Sequence, residues 1–90
     1  MTIEELEYIT GLKLDVSYTH SSRCFTAKLE HSQVIDDDGN MKDLVGVESS
    51  PDGAIARYCE RIAGKMVVDT RARSSRDTSA DRWKVPTTLK

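Results

Sequence analysis

Residues 47–64 read VESSPDGAIARYCERIAG, and the fold hangs on them. Ser50 is a strong N-cap, because its hydroxyl can accept an orphan N–H of the first helical turn. Pro51 follows at the first helical position, where its missing N–H costs nothing. Asp52 places a negative charge at the positive end of the helix dipole. Ile55, Tyr58, Cys59 and Ile62 recur at i, i+3, i+4 and i+7 as one apolar stripe, edged by Ala54 and Ala63. Arg57, Glu60 and Arg61 occupy the other face, and Gly64 is placed as a left-handed terminator. The spacing predicts one amphipathic helix that covers a sheet.

The sheet is legible on the N-terminal side. Leu12, Leu14, Val16 and Tyr18 alternate with Lys13, Asp15 and Ser17, the period of a half-buried strand. His20-Ser21-Ser22 reads as a turn, after which Phe25, Ala27 and Leu29 share one face of a second strand. That strand is expected to run on unevenly to Ile35, with a bulge near Ser32. Asp36-Asp37-Asp38-Gly39-Asn40 reads as a hairpin turn, with Gly39 and Asn40 tolerating positive φ. Met41 to Glu48 forms the next strand, in which Gly46 marks either a bulge or a close approach of the helix. Ahead of the sheet, Thr2-Ile3-Glu4-Glu5 has the form of a capping box. Ile3, Leu6 and Ile9, with Tyr8 beside them, give a short helical stripe ending at Gly11. Lys65 to Asp69 reads as a short strand. Trp83 and Val85 fall on one side of an edge strand or anchor that Pro86 ends.

The expected fold is therefore α+β, a three-stranded antiparallel sheet packed by the principal helix and the short N-terminal helix. Residues 1–70 form the domain, and residues 71–90 a basic arm with a terminal Trp83/Val85-Pro86 anchor. Ninety residues at 38% hydrophobic content support one thin core. The body carries 7 Lys/Arg against 13 Asp/Glu, a net of −6, while the arm carries 6 against 2, a net of +4. Residues 71–81 lack apolar periodicity and read as a long loop or mobile arm. No apolar run spans a membrane, and no signal peptide opens the chain. With two cysteines only, it reads as a cytoplasmic chain with reduced thiols.

Chemistry finds little purchase. His20, Cys24, His31 and Cys59 match no paired metal-ligand spacing. The Asp36–Asn40 turn lacks the glycine and glutamate positions of a calcium loop. There is no nucleophile elbow and no Gly-rich phosphate loop. No catalytic residue, metal or cofactor is expected. The candidates for partner binding are the arm, with Arg71, Arg73, Arg76, Arg82 and Lys84 around Trp83, and the acidic turn Asp36, Asp37 and Asp38. Basic residues around an aromatic suit phosphates and a stacked base, but the acidic body opposes a nucleic-acid backbone.

The helix–strands–helix order, together with Phe25-Thr26-Ala27-Lys28-Leu29, Leu44 to Val47, Ser50-Pro51 with Ala54-Ile55, Ile62 to Val68, and Val85-Pro86, resembles small bacteriophage proteins with a double-stranded-RNA-binding-domain-like scaffold. The resemblance implies that fold and a phage setting without a defined activity. Duplex-RNA binding in that fold uses a basic cluster at the start of the second helix, where this chain has Ser50-Pro51-Asp52-Gly53. The strand–strand–strand–helix order with Ala54-Ile55 at the helix start is also similar to HicB-type antitoxins. The expected function is that of a non-enzymatic phage-type binding protein that occupies a macromolecular partner in the host cytoplasm, an inhibitor of a host defence protein. A nucleic-acid accessory role in phage recombination or replication, through the arm, and a HicB-like antitoxin are the alternatives. A homodimer is compatible with all three.

Overall fold

The principal helix spans Pro51–Ile62 (α2) in the computed structural model, which describes residues 1–71 and 82–90. Ser50 caps it by accepting from the Gly53 N–H at 3.1 Å, and Gly64 turns left-handed just beyond its end at φ 77°. The N-terminal helix spans Ile3–Thr10 (α1), and its capping box forms as expected: Thr2 accepts from the Glu5 N–H at 3.2 Å, and Glu5 accepts from the Thr2 N–H at 3.1 Å. The strands are Leu14–Thr19 (β1), Cys24–Leu29 (β2), Ser32–Ile35 (β3), Met41–Lys42 (β4), Gly46–Glu48 (β5), Met66–Asp69 (β6) and Arg82–Lys84 (β7).

The α+β class with two helices and antiparallel pairing stands, but the single three-stranded sheet does not. Among the described residues there are two sheets, one ordered β1-β2-β5 and one ordered β4-β3-β6-β7. The expected long strand from Arg23 to Ile35 is broken at His31, whose φ is +57°. Ser32, buried at the corner, donates its hydroxyl to the Leu29 carbonyl at 2.6 Å. The facing strand from Met41 to Glu48 breaks at the same level. Between the pairs Ala27↔Gly46 and Val34↔Lys42, one strand spends six residues and the other three, so the surplus is taken up at the corner and β3 swings into a new sheet.

Both sheets share one core with the helices, including Leu6, Leu29, Val34, Tyr58, Ile62, Val67 and Val85, each exposed by 2% or less. Within α2 the buried set is Ala54, Tyr58, Cys59 and Ile62, while Ile55 stays partly exposed at the rim. The stripe is rotated because α2 comes down on Gly46. A Cβ there would collide with the Ala54 carbonyl and the Tyr58 N–H and lie 2.8 Å from the Tyr58 Cα. Of the two readings of Gly46, close approach is the one realised. In α1 the buried residues are Ile3, Leu6 and Thr10, and Ile9 is half exposed. Thr10 turns inward because its hydroxyl donates to the Leu6 carbonyl and accepts from the Leu12 N–H.

Trp83 and Val85 lie on one side of the chain, as their spacing suggests. β7 pairs with β6, and Val85 is fully buried, with its N–H donating to the Lys65 carbonyl at 2.8 Å. Leu89 is buried as well, and the Ile3 N–H donates to the Lys90 carbonyl at 3.0 Å.

Candidate functional site

Consecutive apolar residues in a strand populate both faces of a sheet. Val34-Ile35 in β3 and Met66-Val67-Val68 in β6 are such runs. The register places Val34, Val67 and Trp83 in one row, turned toward the core and the helices. The opposite face carries Met41, Ile35, Met66 and Lys84 in one row and Gln33, Val68 and Arg82 in the next. Met41 is 48% exposed, and Ile35, Met66 and Val68 are each partly exposed. This outer face is thus an apolar centre bordered on β7 by two basic side chains. Reading Met41–Glu48 as one strand concealed it; the paired apolar runs were the available signal.

The acidic turn sits at the opposite end of this sheet from Arg71 and Arg82, whereas Lys84 lies at the turn's own end. The Asp36–Asn40 turn lies at the end where Ile35 pairs with Met66 and Met66 with Lys84. Arg71 and Arg82 lie toward the other end, where Ser32 pairs with Asp69 and Val68 with Arg82. A strand of this length separates them by about 10 Å.

Asp36 is the structural residue of its turn. Its Oδ1 accepts from the Asp38 and Asn40 N–H groups, both at 3.0 Å, and its Oδ2 faces Lys42 Nζ at 2.8 Å. The Lys42 ammonium, aided by the Asn40 N–H, holds the Asp36 carboxyl below the ordinary aspartate range. Asp37 and Asp38 remain exposed at the tip.

Arg71 binds both oxygens of Asp69, with Nε at 3.1 Å from Oδ1 and Nη2 at 3.0 Å from Oδ2. This fork keeps the Asp69 carboxyl low and raises the guanidinium further. Lys84 donates its ammonium to the Gly64 carbonyl at 2.6 Å, just past the C-terminal end of α2. Trp83 is half-buried against the core, which leaves little of its ring for a stacked base. Arg82 is exposed. Arg73 and Arg76, and the expected mobile loop over residues 71–81 apart from Arg71, lie outside the described residues.

No family model, curated protein or solved structure matches the chain.

Among the described residues, no group of three or more His, Cys, Asp or Glu side chains could hold a metal ion. Of the soft ligands, Cys59 is buried in the core, where burial pushes its thiol up, and the Cys24 thiol donates to the Ser22 carbonyl at 3.3 Å. No helix among the described residues is long and apolar enough to cross a membrane.

Proposed function

We propose that this protein acts without catalysis, by occupying a protein partner through the outer face of the four-stranded sheet. The observation that carries the reading is the apolar centre Ile35, Met41, Met66 and Val68 with Arg82 and Lys84 along its border. An apolar patch with a charged rim is the anatomy of a docking surface. The exposed Arg82 on that rim selects a partner surface that is apolar with an acidic margin. The phage setting, and a host defence protein as the partner to be inhibited, come from the sequence resemblance.

The nucleic-acid alternative is less well supported. Arg71 is already forked onto Asp69 and Lys84 is tied to a carbonyl, so phosphate contacts there would compete with bonds in place. The body of residues 1–70 also carries a net −6.

The test is capture from a nuclease-treated bacterial host lysate, with Met41→Glu and Arg82→Glu as variants on the outer face. A defined protein recovered by the parent and lost by both variants is the expected result. Recovery of a small toxin in place of a larger host protein would support the HicB-like alternative instead. Tight binding to bare duplex that falls steeply with salt, with no protein partner recovered, would overturn the proposal.

A further inference from the structure

β1 is an edge strand whose free side is prepared to pair with another strand. The Glu30 N–H donates to the Lys13 carbonyl at 2.8 Å, which fixes the phase of the β1–β2 ladder. In that phase Asp15, Ser17 and Thr19 exchange their hydrogen bonds with β2, whereas Leu14, Val16 and Tyr18 point their N–H and C=O groups outward. At one end of this edge the Leu14 N–H is already closed off, donating to Glu7 Oε2 of α1 at 2.8 Å. Among the described residues, nothing comparable covers Val16 or Tyr18.

Among the described residues, the other edges are protected. β4 has two residues, one of them Lys42. β7 carries Arg82 and Lys84 and runs into Pro86. β5 has three residues, and the Val45 carbonyl before it accepts from Arg61 Nη1 at 3.1 Å. Lysine, proline, shortness and covering groups are the usual guards against edge pairing. β1, six residues of sequence LDVSYT, has no lysine or proline, and the group covered on it is the Leu14 N–H at its end.

We infer that β1 pairs antiparallel with β1 of a second copy of this chain, with Ser17 on the two-fold axis. The register follows from which groups are free. With Ser17 at the centre, each Val16 N–H donates to the second copy's Tyr18 carbonyl, and each Tyr18 N–H donates to the second copy's Val16 carbonyl. A register centred on Val16 would instead demand the Leu14 N–H that Glu7 holds. Side chains agree. On the α2 side, Val16 lies opposite Tyr18, and the ring of Tyr18, 45% exposed in the single chain, is covered. On the other side Asp15 lies opposite Thr19, so no carboxylate faces its own copy. The two three-stranded sheets become one continuous sheet around a closed isologous interface.

The inference is independent of the partner proposed above, because β1 belongs to the other sheet. Ser17 and its copy form a non-hydrogen-bonded pair, with Cα atoms about 4.5 Å apart, inside the range of a disulfide. In a Cys24→Ser background, Ser17→Cys should cross-link to a dimer under mild oxidant. Thr19→Cys should not, since two-fold pairing leaves its copies roughly 13 Å apart.

Tyr18→Pro removes an N–H that faces away from β2, so the β1–β2 ladder keeps its hydrogen bonds. By sedimentation equilibrium the parent and Tyr18→Thr should be dimeric where Tyr18→Pro is monomeric, with all three folded by circular dichroism. A parent that stays monomeric up to about 1 mM would overturn the inference, as would equal cross-linking through Thr19→Cys.

Discussion

Adding one methyl group at Gly46 is the sharpest perturbation that this fold offers. The new Cβ would sit 2.8 Å from the Tyr58 Cα and closer still to the Tyr58 N–H and the Ala54 carbonyl. Carbon atoms pack at about 3.5–4.0 Å, so α2 would have to lift from β5 by roughly 1 Å. All three obstacles are helix backbone, which cannot swing aside as a side chain would. Ala54 and Tyr58 are both 0% exposed, so the lift opens a gap along a seam that is fully packed. A gap of that size forfeits about a quarter to a half of the attraction at each contact. Overpacking alone costs about 1–3 kcal/mol, and the backbone collision puts Gly46→Ala at or above about 3 kcal/mol. A chain of this length holds roughly 5–13 kcal/mol in all. With a urea slope of about 1–2 kcal/mol/M, the midpoint should fall by about 2 M, read by the fluorescence of the half-buried Trp83. Gly39→Asn is the control: φ there is also positive, at 83°, but the space is open and asparagine tolerates the conformation. A Gly46→Ala midpoint within about 0.5 M of the parent would refute the close approach.

Three further outcomes are expected. The Tyr58 hydroxyl is buried without a hydrogen bond, beside a Leu29 carbonyl and Ser32 hydroxyl that bond each other, so Tyr58→Phe should be neutral or stabilising by up to about 2 kcal/mol in urea titration; a clear loss would mean that the hydroxyl is bonded. Cys59 should label slowly with a thiol reagent in the native protein and rapidly in urea, with Cys24 the faster of the two in the fold; immediate native labelling of both would remove Cys59 from the core. Asp36 and Asp69 are held below the ordinary value of 3.8 by Lys42 and Arg71, so the stability they add is complete above that pH and is lost as pH falls through their lower folded values. Asp36→Asn should flatten that acid limb in urea melts taken at a series of pH values, and an unchanged limb would show the turn to be indifferent to the charge.

Local signals in the sequence were strong where one residue type performs one local task. Ser50, Pro51 and Gly64 bound α2 as their chemistry requires, and Thr2 with Glu5 forms the box. The break into two sheets left no such mark. It depends on a left-handed His31, a residue that advertises no turn, and on a three-residue mismatch between facing strands that only their pairing reveals. The charges of the candidate site were visible, but not their commitments. Whether Arg71 is available to a partner depends on Asp69 at the end of β6, and Asp36 is bound by the backbone of its own turn. The outer apolar face required the register of β3, β6 and β7, which joins residues far apart in the chain.

The bond between the Ile3 N–H and the Lys90 carbonyl, with Val85 and Leu89 buried in the same core as Leu6, bears on how the chain folds in time. These contacts join the first turn of α1 to residues 85–90, so the loop that must close before they form takes in both sheets and α2. The entropy of that closure is spent before the contacts reward it, which slows folding relative to a helical bundle of equal length. During synthesis α1 must wait for these particular contacts until residues 85–90 have been made.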